Sequence, residues 1–456
     1  MAFKKNQVVE LEITDITDLG FGVGRIDGVV IFVGDTVPGD VCEVRVIKVN
    51  STYLVGRVER LVRKSDRRVN DRCHECKCKS CAYKNISYSD ECTIKEEGVR
   101  RLFSTSLLSG ISTAKLTPSP SELRYRNKAQ YPIALVDGKH RVGFFAPKSH
   151  RVTPISDCPL TPEIFSDVCD TLCTFFDEKE ISVYDEQTGK GILRHIYLRR
   201  GEITGELLVT LVTNGKGIPC EMELTELLTD KYQDIVGILI NTNTENTNVV
   251  LGDSYRTLFG RDYIYDSLGG VRLKITAPSF YQVNHASAEL LYAKAKELAN
   301  PEKSDTLLDL FCGAGSIGLS MADSVGELIG IEIVDSAVEC ARENARECGI
   351  DNAHFFTGDA TETERLLMNA EAELRRKISP DIVILDPPRA GCDEKLIRFV
   401  STLCAKRIVY ISCNPKTLAR DVSIFRSCGY DTTTVHPFDL FPMTGHVESV
   451  VCLTHE

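Results

Sequence analysis

Apolar and polar side chains alternate along residues 1–60. The runs VVELEITDI, GVVIFVG, DVCEVRVIKVN and YLVGRVERLV each place every second side chain on one apolar face. Gly, Asp and Pro separate them, and GFGVGRIDG puts glycines where a small barrel would bend tightly. About five short strands in such a span predict an OB-like β-barrel over residues 1–62. Residues 63–265 are mixed. The basic, cysteine-dense stretch RKSDRRVNDRCHECKCKSCAYKN gives way to strand-like LRHIYLRR and GELLVTLVTN, with short helices expected between them. From Ile275 onward the period changes. TLLDLF, LIGIEI, HFF, DIVILD and RIVYIS are short apolar runs, and helical patterns such as DSAVECARENAREC and KTLARDVSIFRS lie between them. That alternation predicts a doubly wound α/β sheet over 266–456. The tail runs DTTTVHPFDLFP and HVESVVCLT have no helix between them, which predicts an antiparallel pair at the end of the sheet.

The 456 residues suffice for several domains, each with its own core. Hydrophobic and charged fractions of 43% and 26% are those of an ordinary globular protein. No apolar run approaches the roughly 18 residues that span a bilayer. The start, MAFKKNQVVELEIT, lacks the apolar stretch of a signal peptide. The expectation is a cytoplasmic monomer with no membrane partner. In that compartment most of the 18 cysteines are free, metal-binding or catalytic rather than paired.

Charge is unevenly placed. The chain carries a net −11, yet Arg57 to Lys128 holds 17 Lys and Arg against 9 Asp and Glu. A basic segment inside an acidic protein suits phosphate contacts, and Arg124, Arg126 and Lys128 are candidates for them.

Three constellations carry chemistry. The first is LLDLFCGAGSIGL, with Gly313, Gly315 and Gly318 following a strand and opening a helix. The spacing fits a dinucleotide or S-adenosylmethionine, with Glu332 at the next strand end placed for ribose hydroxyls. Asp309 inside the first strand and DPPR, Asp386 to Arg389, at a later strand exit favour S-adenosylmethionine. The second is Cys73, Cys76, Cys78 and Cys81, followed much later by Cys158. Their spacing reads as a metal or iron–sulfur site and does not choose between zinc and iron. The third is Cys413 in SCNP, at the mouth of a strand, with Glu448 in HVE at the start of the last strand. A thiolate can add to an electrophilic carbon, and a carboxylate can take a proton. His446 is a rival base, and Lys416 is the nearest basic residue that could activate the thiol.

With these residues in view, the chain resembles the RNA (uracil-5-)-methyltransferase family over nearly its whole length. The likeness runs from the barrel and cysteine cluster through YRNKAQ, LRHIYLRRGEITGELLV and SFYQVN to DLFCGAGSIGL, DPPRAGC, SCNP and HVE. It implies an α/β fold class: a class I methyltransferase sheet, an N-terminal OB-like (TRAM) barrel, and a central α+β RNA-binding domain carrying the cysteine cluster. It implies Cys413 as nucleophile and Glu448 as general base. Gln282, Phe311, Glu332 and Asp386, with Gly313 and Gly315, fall on S-adenosylmethionine-binding positions, and Asp359 is an adenine-side contact. It further implies a [4Fe–4S] cluster on Cys73, Cys78, Cys81 and Cys158. The first spacing departs from the family pattern, so Cys76 is the alternative first ligand. The implied partner is RNA, ribosomal RNA of the large subunit by analogy with cluster-bearing members, or else transfer RNA.

Overall fold

A computed structural model describes residues 3–455 apart from 71, 74–77, 79, 147, 148, 361, 363, 364 and 366. Strands Val8–Ile16, Gly22–Ile26, Val29–Val33, Val41–Val49 and Tyr53–Arg63 close into a barrel, with the fifth strand lying between the third and the fourth. Alternate residues Val9, Leu11 and Ile13 face inward against Ile31, Val44 and Leu54. Each such side chain stabilises the barrel by roughly 1.5–3 kcal/mol through burial. The glycines of GFGVGRIDG divide into two kinds. Gly20 and Gly28 take the left-handed region at turns, with φ of 78° and 81°. Gly24 sits within a strand, where a Cβ would lie 2.0 Å from the Leu11 side chain, so close packing rather than bending requires it.

A second sheet has seven strands: Ser254–Gly260, Ile235–Thr242, Leu207–Thr213, Leu193–Arg200, Lys128–Val136, Lys139–Phe145 and Val152–Pro154. One pair is parallel and the rest antiparallel. Helices Glu163–Glu178 and Glu221–Lys231 cover it through Phe165, Leu172, Phe176, Leu224 and Leu228. The first of these has 16 residues, longer than the sequence pattern suggested.

The third sheet orders its strands Ala353–Thr357, Glu327–Glu332, Thr306–Leu310, Ile382–Leu385, Arg407–Ser412, Glu448–His455 and Thr434–Phe438. The first five are parallel, and the closing two are antiparallel. Leu307, Ile384 and Val409 feed one core, while Leu308, Val383 and Ile408 feed the other. Both faces are therefore covered, as a parallel sheet requires. Helix Tyr88–Phe103 lies before the central sheet in sequence, yet it packs on this one through Val99 and Phe103. The short strand Ser112–Thr113 then pairs with Thr434 and Val435 at the sheet edge. Among the described residues, no helix is long and apolar enough to cross a membrane.

Candidate active site

The glycine loop follows strand Thr306–Leu310. Phe311 and Gly313 turn the chain through the left-handed region, with φ of 64° and 54°, and Gly315 at 83° opens the next turn. A bulky residue at positive φ is strained and persists only where surroundings enforce it. Glu332, at the end of the neighbouring strand, accepts from the Gly313 N–H at 3.1 Å and the Val334 N–H at 3.0 Å. Its carboxylate thus faces the loop. Asp309 is fully buried, and one of its oxygens accepts from the Gly318 N–H at 3.0 Å. Its other oxygen has no partner among the described residues. Burial pushes this carboxyl up to about 8. A Cβ at Gly318 would meet that same carboxylate and Leu328, each at 2.8 Å, so glycine is needed where loop meets strand.

The other expected cofactor residues gather at this edge. Asp386 follows strand Ile382–Leu385, beside the end of Thr306–Leu310, and burial pushes it up to about 7. Tyr292 donates to or accepts from Ser316 Oγ at 2.8 Å and lies close to Gln282, Asp309 and Asp386. Gln282 is buried, and its carbonyl accepts from Asn127 Nδ2 at 2.9 Å. Asp359 lies two positions past strand Ala353–Thr357 and is half-buried.

Cys413 directly follows strand Arg407–Ser412, and Glu448 opens the neighbouring antiparallel strand Glu448–His455. Register pairs Ser412 with Ser449, so the next position on each strand brings Cys413 opposite Glu448. Asn414 caps the following helix, its Oδ1 accepting from the Lys416 N–H at 3.2 Å, with Pro415 in the first turn. Ser412 Oγ accepts from the Asn414 N–H at 3.2 Å, which closes the turn around the half-exposed thiol. Glu448 is 6% exposed, and burial, with Asp386 nearby, pushes it up to about 8. Burial pushes Cys413 up to about 11; Glu448 and Asp386 add to this, and the Arg389 cation opposes it.

Arg389 is the charge that sequence reasoning missed, although DPPR was in view. Lys416, the expected activator, instead pairs with Asp18 of the barrel at 3.2 Å, on the surface. Its ammonium is thus engaged with a carboxylate of another domain, and Lys416 is not among the charges that act on the thiol. Arg389 is held from behind. Its carbonyl accepts from Asn414 Nδ2 at 3.1 Å. Farther along the same loop, Cys392 N–H donates to buried Asp421 at 2.9 Å, and Arg420 donates to the Ala390 and Cys392 carbonyls at 2.9 and 3.0 Å. Arg389 Nη2 also donates to the His446 ring, 3.2 Å from Nε2. Burial and the Arg389 charge lower the His446 pKa, so the ring stays neutral and engaged, a poorer base than Glu448.

The loop leading into Glu448 is locked by charge. Buried Lys95 pairs with Glu91 at 2.7 Å and Asp439 at 2.8 Å, and donates to the Phe441 carbonyl at 3.2 Å. Glu91 also accepts from the Met443 N–H at 2.7 Å and from Arg72 at 2.7 Å. A Cβ on Gly445 would lie 2.2 Å from the Asp18 carbonyl, so the barrel touches this loop backbone to backbone.

Cys73, Cys78, Cys81 and Cys158 line one cavity of about 330 Å³, together with Arg126, Lys128 and Thr444. Burial and then the three neighbouring thiols raise the Cys81 pKa. Among the described residues, no three His, Cys, Asp or Glu side chains converge as a metal-binding group. Cys76 lies outside the described residues. Arg124, an expected phosphate contact, is otherwise engaged: it pairs with Asp157 at 2.7 Å and donates to the Cys158 and Thr161 carbonyls at 3.0 and 2.9 Å. It braces the Cys158 turn.

Comparison with known proteins adds to this geometry. A family model described as tRNA (uracil-5-)-methyltransferase matches residues 205–456, and a TRAM domain model matches residues 2–58. A relative from Clostridium tetani, named an uncharacterized RNA methyltransferase, is 36% identical over 99% of this chain and 97% of its own. One from Listeria monocytogenes with the same description is 37% identical over 99% of this chain and 98% of its own. The crystal structure of Pyrococcus abyssi tRNA (uracil-54, C5)-methyltransferase in complex with S-adenosyl-L-homocysteine is 27% identical. It aligns with a TM-score of 0.78 over 98% of this chain and 100% of that one.

Proposed function

Because this chain belongs to the RNA (uracil-5-)-methyltransferase family of S-adenosylmethionine-dependent enzymes, we propose that it methylates C5 of a uridine through a covalent Cys413 adduct. The observation that carries the reading is the strand register that sets Cys413 opposite buried Glu448 beside Asp386 and Arg389.

Uracil C5 is a weak nucleophile on its own. The Cys413 thiolate adds to C6, and the C5=C6 electron pair moves onto C5. Arg389 favours the thiolate by its charge. Gln282, Phe311, Gly313, Gly315, Glu332, Asp359 and Asp386 would hold S-adenosylmethionine, which would supply an electrophilic methyl group for that carbon and leave as S-adenosylhomocysteine. The unpaired Asp309 oxygen, the left-handed loop and the inward-facing Glu332 suit such a polar, cationic guest. Glu448 then takes the hydrogen left on C5. The released pair restores the C5=C6 bond and expels the Cys413 sulfur. The target base must leave its stack to reach the thiol.

Two RNAs compete as substrate. The cysteine segment favours large-subunit ribosomal RNA, by analogy with cluster-bearing family members. The archaeal structure, named for a transfer RNA position, favours transfer RNA. Mass mapping of 5-methyluridine in both RNAs from a deletion strain decides. A single 5-methyluridine-containing fragment lost from one of them, and restored by the purified enzyme, is the expected result. Unchanged 5-methyluridine in both would sink the assignment.

The four thiols lining one cavity support a metal group there, and the likeness to cluster-bearing family members favours a polynuclear one over a zinc ion. Cys73, Cys78, Cys81 and Cys158 would hold a [4Fe–4S] cluster, which would tie the 73–81 segment to the Cys158 turn. Protein purified without air is expected to be brown, absorbing near ~400 nm, and Cys78→Ser to lose the colour. Colourless protein with stoichiometric zinc would refute it.

A further inference from the structure

Lys128 begins one strand of the central sheet, and the register sets it directly opposite Arg199. Directly opposed residues of an antiparallel pair share a face, and like charges there repel. Arg199 is 1% exposed. Its guanidinium donates to the Tyr197 hydroxyl at 2.9 and 3.1 Å and to the Ser279 carbonyl at 2.7 Å, while its Nη1 has no partner among the described residues. Arg126 lies two residues before Lys128, its Nε donating to the Lys128 carbonyl at 3.3 Å. Among the described residues none of the three cations is paired with a carboxylate, in contrast to Arg124 one turn away in the chain. A buried cation without an anion, such as Arg199, is costly, and the half-buried Lys128 and Arg126 add like charge beside it. Burial, Arg199 and Arg126 pull the Lys128 pKa down to about 8. Among the described residues, the fold thus gathers positive charge that no carboxylate pairs with.

The position of this charge gives it a use. Arg126 and Lys128 line the same cavity as Thr444, two residues before His446. Arg126 also acts electrostatically on His446, which Arg389 contacts. Basic groups thus run from the central sheet to the nucleophile. Arg199 holds the Ser279 carbonyl, next to Phe280, which is 71% exposed, and close to Gln282. We infer that Arg126 and Lys128, backed by buried Arg199, receive the phosphodiester backbone of the RNA strand entering the Cys413 site. This rests on the RNA reading above. Arg126 and Lys128 touch the phosphate oxygens; Arg199 is a positioning residue that supplies charge from behind.

The test is anisotropy of a short fluorescein-labelled, uridine-rich single-stranded RNA across a KCl series. For Lys128→Gln and Arg126→Gln, the slope of log affinity against log salt is expected to fall by about 0.7 per lost contact. The KM for RNA rises, S-adenosylmethionine affinity is unchanged, and Lys128→Arg restores the slope. Lys395→Gln, at an exposed site elsewhere, leaves the slope as in wild type. An unchanged slope and affinity in both Gln variants overturns the inference. So does loss of iron and colour at an unchanged slope, because the cations would then serve the thiol cavity instead. If Lys128→Gln fails to fold, half-exposed Arg126→Gln decides alone. The readout needs no methyl transfer, so it stands or falls separately from the C5 chemistry.

Discussion

Cys413→Ala protein transfers no methyl group and forms no denaturant-stable complex with 5-fluorouridine RNA. Turnover is expected to fall by at least about 10³-fold, as when a nucleophile is removed from a covalent mechanism. Neither of the two neighbouring titratable groups takes over the addition. Glu448 is a carboxylate poised for a proton, and His446 is held by Arg389. The wild-type complex with 5-fluorouridine RNA should persist, because fluorine at C5 cannot leave as a proton. The thiol is half-exposed at a strand exit, so its loss leaves the cores intact. Unchanged S-adenosylmethionine binding in the variant, measured by calorimetry, separates lost chemistry from lost structure. Methylation by Cys413→Ala at the wild-type rate would remove the covalent mechanism altogether.

Glu448→Gln should stop the reaction one step later. Gln keeps the shape and removes the base. Addition and methyl uptake proceed, proton removal does not, and the adduct accumulates on ordinary uridine RNA. Turnover is expected to drop by roughly 10²- to 10⁴-fold. A trapped complex carrying methylated base, seen by mass spectrometry, is the diagnostic; a variant with unimpaired release of 5-methyluridine would assign the base elsewhere. The pH dependence has a definite sign. The base works as carboxylate, and its folded pKa is about 8, so single-turnover rates rise with pH through that value. Cys413, pushed up to about 11, adds a rise in the same direction. Stability moves the other way. A folded pKa raised from 4.5 to about 8 means that the fold favours the protonated form. The stability it contributes is complete below the unfolded value and is lost as pH rises through about 8. Asp309 and Asp386, raised to about 8 and about 7, have the same sign. Glu448→Gln should therefore melt higher than wild type at pH above 8, and no higher below the unfolded value of 4.5.

The glycine loop was legible because its chemistry is local. Asp309, Gly313, Gly315 and Gly318 lie within ten positions, and each residue's need follows from the turn it makes. The meeting of Cys413 and Glu448 was also within reach, since two closing antiparallel strands must share an edge. The rest depended on where distant side chains end up. Lys416 points at Asp18, a partner 398 positions away, and no local pattern carries that. Arg389 matters because helix Pro415–Ser427 holds its loop, which only packing reveals. Helix Tyr88–Phe103 joins the last sheet although 200 residues of other structure intervene before Thr306. Arg199 reads as a surface residue in LRHIYLRR and is among the most buried side chains in the protein.

The Lys95–Glu91–Asp439 cluster also bears on how the chain is made. Lys95 leaves the ribosome 344 residues ahead of Asp439. Until then the Lys95–Glu91 pair on its helix lacks its second carboxylate, and an ion pair that belongs inside stays in water. The strand pairing of Ser112 with Thr434 waits as long. The barrel and the central sheet can form during synthesis, since their contacts lie close in sequence. The catalytic sheet closes only after the last strand has been translated, and contacts of such sequence separation form slowly. A nascent chain stalled before Asp439 thus carries an exposed amphipathic helix and an unpaired sheet edge, and it is there that chaperones have the most to protect.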